Sequence, residues 1–109
     1  MWNTKSKGST DITMTEGDYG ISIPFVVQGI TIDSGDSVLL TIKKEKNGRE
    51  ILEKNFTNIV ANTIDVSFTE SETDDLKIGS YVYTLDWYKN GVFQYCLVNN
   101  EKLKVEDKA

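Results

Sequence analysis

The chain has no histidine, one cysteine, one proline and no long apolar run. Each lack excludes something. Without histidine there is no imidazole to act as general base, to serve a serine triad or to ligate zinc. Cys96 alone cannot form an intrachain disulfide, so an oxidising compartment is not implied. It lies in a strand pattern with no histidine to activate it, and reads as an inert structural thiol. No phosphate-binding or dinucleotide-binding glycine pattern occurs, and the EF-hand spacing is missing. No secretory signal or membrane-length apolar stretch is visible. A basic excess is lacking too: 12 Lys and Arg face 17 Asp and Glu, for a net charge of -5. A nucleic-acid binder needs a basic stripe, which this composition does not offer. The expectation is therefore a non-enzymatic domain with no catalytic residue, cofactor or metal, and with neither nucleic acid nor membrane as partner.

What is present is alternation. The 109 residues suit one domain, and 39% hydrophobic residues can fill one core. Apolar residues recur with period two at Ile12 and Met14; at Ile21, Ile23, Phe25 and Val27; at Val38, Leu40 and Ile42; and at Ile64, Val66 and Phe68. The pattern continues at Tyr81, Tyr83, Leu85 and Trp87, at Phe93, Tyr95 and Leu97, and at Leu103 and Val105. Period two with β-branched and aromatic residues means strands. Glycine and Asx clusters punctuate them, and Asp33 and Asp36 flank such a turn, where aspartate bonds its own backbone. Seven or eight strands are predicted over residues 10–106, preceded by a mobile arm (1–9) and followed by a short tail (107–109). Pro24 interrupts a strand pattern and cannot donate to a ladder, so strand 20–28 is expected at an edge or a bulge.

Two signals lie around the crossing that follows Phe68. Thr69-Glu70-Ser71-Glu72 and Ser71-Glu72-Thr73-Asp74 both have the capping-box form, predicting one helical turn that carries the chain between sheets. Leu76-x-x-Gly79-x-Tyr81-x-Tyr83 then has the form of a tyrosine corner, in which the ring packs inward and the hydroxyl returns to the main chain.

The segment Leu76–Val98 holds six aromatic residues around Asn90-Gly91. Lys46-Asn47-Gly48 and Lys89-Asn90-Gly91 each join two alternating segments. A three-residue loop with a glycine bulge pairs Trp87 with Phe93, Leu85 with Tyr95 and Tyr83 with Leu97, placing all six on one face. In the first hairpin the same loop pairs Ile42 with Leu52 and Val38 with Phe56. Burial of each large side chain contributes roughly 1.5–3 kcal/mol, so the bulged register is expected in both hairpins. A two-residue turn instead leaves Phe93, Tyr95, Leu97 and Tyr88 as an exposed patch marking a partner surface.

The pieces "TEGDYGISIPFVV", "GDSVLLTIKK", "IDVSFTESETDDLKIGSYVYTLDWYKNG" and "LKVED" resemble, in order and spacing over residues 10–106, the N-terminal immunoglobulin-like domain of phage baseplate upper proteins. The resemblance implies an immunoglobulin-like antiparallel β-sandwich that assembles with other virion or phage-encoded subunits. Localisation is then the virion or the cytoplasm of the bacterial host. Family members continue into a helical linker and a distal module, whereas this sequence stops at Ala109. That favours a structural or accessory role over receptor attachment. Self-association stays open, as do two other roles: a small phage-encoded inhibitor of a host protein, and a carbohydrate-binding or adhesion sandwich. The residues expected to touch a partner are Trp2 on the arm, Tyr19 in an early turn and Tyr88 beside the aromatic hairpin. Thermal melting of Tyr95→Ala separates the two registers: a large drop accompanies the bulged loop, and almost none the two-residue turn.

Overall fold

The computed structural model describes residues 2–3, 11–17, 22–57 and 59–107. It is an all-β fold with one helical turn: β1 (Trp2–Asn3), β2 (Ile12–Thr15), β3 (Ser22–Val27), β4 (Ser37–Lys43), β5 (Glu50–Phe56), β6 (Thr63–Ser67), α1 (Glu70–Thr73), β7 (Gly79–Lys89) and β8 (Val92–Glu106). The strands form two sheets, ordered β1-β3-β6 and β2-β8-β7-β4-β5. Of the expected arm, the described part is Trp2–Asn3, which pairs antiparallel with Val26–Val27.

The alternating residues make the core because alternate side chains share a face. Val38, Leu40 and Ile42 of β4 and Tyr83 and Leu85 of β7 are fully buried. They meet Phe25 and Val27 of β3 and Ile64 and Val66 of β6. Phe25 and Tyr83 touch edge to face across the two sheets, with ring centroids 6.0 Å apart. Pro24 is exposed and opposes Asp65 of β6, while β1 reaches only Val26 and Val27. Among the described residues Pro24 therefore has no strand on its other side, and a missing N–H costs no ladder bond there.

The crossing forms as the sequence predicts. Thr69 caps α1, accepting from the Glu72 amide, while Glu72 Oε1 accepts from the Thr69 amide at 2.7 Å. Leu76 is buried behind it, and the Tyr81 hydroxyl donates to the Lys77 carbonyl at 2.8 Å. Lys54 ties this corner to the opposite sheet, since its ammonium donates to the Ser67 carbonyl and to Glu72, both at 2.9 Å.

Three expectations are corrected. The pairing is not wholly antiparallel, because β2 runs parallel to β8, Ile12 opposite Leu103 through Thr15 opposite Glu106. Alternation gives a strand's faces but not its direction, and these two strands are joined through nearly the whole chain. The segments around Phe93–Leu97 and Leu103–Val105 are one continuous strand, β8, rather than two.

The third correction concerns the hairpins. The first keeps the expected pairs, Ile42 with Leu52 and Val38 with Phe56. Its loop is longer than expected, however. Gly48 donates to the Glu45 carbonyl at 2.8 Å without a left-handed backbone, and the register slips past Ile51. In the second hairpin Lys89 pairs with Val92 and Tyr88 with Phe93, so Asn90-Gly91 is a two-residue turn. Both turn residues have positive φ, 53° and 79°, as a type I′ turn requires. Phe25→Ala is expected to cost about 3–5 kcal/mol in urea unfolding, because the cavity would open between the sheets at the Tyr83 contact.

Candidate functional site

The two-residue turn fixes where the aromatic side chains go. Directly opposed residues share a face, so Phe93 joins Tyr88 on one side of the ribbon. Their rings meet edge to face at 5.8 Å. Register then slips past Gln94, and Tyr95 opposes Trp87. Neighbouring β7 residues point to opposite faces, so Tyr95 emerges on the side away from Phe93. Val92, Phe93 and Tyr95 are 62%, 53% and 59% exposed. The six-residue buried face expected from sequence does not form. Tyr83, Leu85 and Leu97 are buried and Trp87 packs partly against the core, but Phe93 and Tyr95 stand in solvent. Leu97 escapes exposure because the slip past Gln94 puts it, with Tyr95, on the face of Trp87, and β8 then slips past Leu97 and again at Asn99–Asn100. Each slip reverses the side-chain faces, which lets the adjacent residues Leu97 and Val98 both turn inward. Asn100 takes φ 54° there, and its amide donates to the Thr84 hydroxyl.

The tip is held from below by the loop before β4. Asp33 and Asp36 close a turn, with the Asp36 amide on the Asp33 carbonyl and the Asp33 amide on Asp36 Oδ2, both at 3.0 Å. Asp36 is buried and also accepts from the Trp87 indole N–H at 2.9 Å and from Lys89 at 3.2 Å. Lys89 spans to Asp33 at 2.7 Å. Burial alone pushes the Asp36 carboxyl up; the bonds from Trp87, the Asp33 amide and Lys89 outweigh it and hold the group below its ordinary value. The bonds to Asp33 and then Asp36 raise the Lys89 ammonium in turn. The aspartates bond backbone as expected, and in addition they clamp the root of the hairpin.

Beside this tip runs the outer edge of β8. β2 covers it only at Leu103–Glu106, and among the described residues no strand pairs with that edge over Val92–Lys102. The stretch Val92–Val98 carries no charged side chain. Cys96 lies within it but is not reactive: burial first, then the hydrogen bond and charge of Asp86, push its thiol up to about 11.

Of the residues expected to meet a partner, Tyr88 belongs to this surface. Trp2 sits on the small sheet against Val27, apart from the hairpin strands. Tyr19 lies outside the described residues. Val92, Phe93 and Tyr95 were not among them, and Asn90-Gly91, the strongest short hairpin signal, was the pointer to them. The other exposed large apolar residues, Val26, Ile51, Val60 and Ile78, are distributed over separate elements. Among the described residues no cluster of three or more metal-ligating side chains occurs, and no helix is long and apolar enough to cross a membrane. Compared with known proteins, the chain matches no family model, and no curated protein or solved structure matches it at a significant level.

Two outcomes follow from this geometry. Tyr95→Ala is expected to change the melting temperature little, since a ring already in solvent has little burial to lose. Asp36 is a lowered carboxylate, so its stabilising contribution is complete above the ordinary value of 3.8 and disappears as pH falls through its lower folded value. Urea midpoints followed from about pH 5 down to about pH 2 should show that acid loss in the native chain and a smaller one in Asp36→Asn.

Proposed function

We propose that this chain is a non-enzymatic phage or prophage structural or accessory protein, an immunoglobulin-like sandwich that works by gripping another virion or phage-encoded subunit. The observation that carries the reading is the hairpin tip, where Val92, Phe93 and Tyr95 are exposed beside a half-buried Tyr88 and the root is anchored through Asp36. Rigid exposed aromatics contribute large contact area at small entropic cost, and Tyr and Phe are enriched in interfaces. Among the described residues no strand pairs with the adjoining β8 edge over Val92–Lys102, which offers main-chain donors and acceptors to a partner strand.

The strand order supports the immunoglobulin-like assignment. A sandwich of that kind sets its first, second and fifth main strands against a sheet built on the third, sixth and seventh. With β1 and β2 as two halves of the first strand, β1-β3-β6 and β2-β8-β7-β4-β5 follow that plan. In antibody domains the corner tyrosine stands two residues before a cysteine that bridges the sheets. Here Tyr81 makes the corner bond, and Tyr83, two residues on, meets Phe25 of the facing sheet. An aromatic pair takes the position of the disulfide. The β7–β8 turn is then the loop that carries recognition in antibody variable domains, which is an analogy of position.

Exposure of Phe93 and Tyr95 also favours a second reading, stacking on sugar rings. The two side chains leave the ribbon on opposite faces, so they do not make one flat platform, and protein contact is the better fit. Purified particles from a producing host, analysed by mass spectrometry, are expected to contain this chain. A Phe93→Ala/Tyr95→Ala double variant should fold with a near-native melting temperature and be missing from them. Particles devoid of the native chain, or a strong glycan-array signal, would overturn the assignment.

A further inference from the structure

At the opposite end of β7 from the hairpin lies a cleft of about 430 Å³ lined by Lys44, Lys46, Lys102 and Lys104, with Glu45, Ser80, Tyr81 and Val82. We infer that it binds a compact multivalent anion of the phosphate class. In a chain of net charge -5, four ammonium groups around one recess are a local reversal of sign. The reversal is built from the strands. Lys102 and Lys104 are alternate residues of β8 and share a face, opposite Val82 and Ser80 of β7. Lys44, from the β4–β5 loop, is held over the Tyr81 ring, 4.6 Å from its centroid. Gly79 leaves room for it, since a Cβ there would lie 2.9 Å from Lys44 Nζ. Lys104 reaches Glu106 at 3.5 Å; among the described residues no carboxylate comes within ion-pair distance of Lys44, Lys46 or Lys102. The four cations thus line one recess whose carboxylates are Glu45, in the lining, and Glu106, paired with Lys104.

The kind of anion follows from what the cleft lacks. Its cations are all lysines, compact point charges that bind phosphate through charge rather than through a fork, and four of them together suit a multivalent anion. At the cleft β7 is paired with β8 throughout but with β4 only as far as Val82, and β8 is paired with β7 at Lys102 and with both β7 and β2 at Leu103–Lys104. Only Gly79–Tyr81 of β7 lie beyond the β4 pairing, too short a run to seat an extended peptide, and recognition falls to side chains. A long polyanion would extend past the lysines over an acidic molecule, whereas a small one stays within the roughly 8 Å over which charges act at physiological salt. The volume is in the range of small-molecule sites.

Tripolyphosphate titrated into the full chain at moderate salt, read by calorimetry and by amide chemical shifts, tests this. Saturable binding is expected, weakening as salt is raised, with shifts centred on residues 80–82 and 102–104. Lys102→Gln/Lys104→Gln, at two exposed positions, should keep its melting temperature and bind at least about tenfold more weakly, a difference near 1.4 kcal/mol. Equal binding by that variant, or shifts elsewhere, would refute the site. Hexaglutamate binding as tightly as tripolyphosphate would refute the phosphate class. A single-stranded oligonucleotide binding more tightly would refute the compact ligand.

Discussion

The left-handed pair Asn90-Gly91 is the constraint on which the exposed surface depends. A two-residue turn of this hand matches the natural twist of a β-ribbon, and it leaves no freedom in how Lys89 and Val92 pair. Once that pair is set, Phe93 must share a face with Tyr88, and the rings that would have thickened the core are turned outward. The core loses little by it, because the slip past Gln94 swings Leu97 inward and the slip past Leu97 does the same for Val98. One strand thereby serves two purposes along its length, presenting exposed rings at its start and closing the core at its end.

Exposed rings recognise a partner well only if they are held still. Here the root of the hairpin is gripped by a buried carboxylate that takes bonds from Trp87, Lys89 and the Asp33 amide. At the other end of the fold, Lys54 joins the sheets through Ser67 and Glu72 beside the rings of Phe56 and Phe68. Asn62, in a left-handed conformation, bonds the Val27 and Ile30 carbonyls and the Ile32 amide, fixing the passage from β3 toward β4. These polar ties do not replace the apolar core. They set how its parts sit relative to one another, which suits a molecule proposed to act through shape.

Much of the fold was legible because its signals are local. Alternation marked the strands, Thr69 with Glu72 marked the helical turn, and the spacing from Leu76 to Tyr81 marked the corner. The direction of β2 was not legible, since two strands distant in sequence leave no trace of their relative sense. The slips in β8 were not legible either. Gln94, Leu97 and Asn100 look like ordinary strand residues, and a slip is decided by competition between turn geometry and burial across two strands. Adding up burial over one hairpin face favoured the wrong register, because that sum omits a residue inserted later in the strand. The turn residues themselves held the better information. Residues of the lysine cleft were equally hidden, for they meet only when the β4–β5 loop comes to lie beside β7 and β8.

The parallel pairing of Ile12–Thr15 with Leu103–Glu106 bears on how the chain is made. About ninety residues separate the two strands, so the earlier one leaves the ribosome long before its neighbour exists. Until Leu103–Glu106 has been made, Ile12 and Met14 lack the strand that pairs with them, and that border of the sheet is open to unwanted association. Completion of the larger sheet thus waits on Leu103–Glu106, and a chain interrupted before Leu103 would leave β2 without its partner strand.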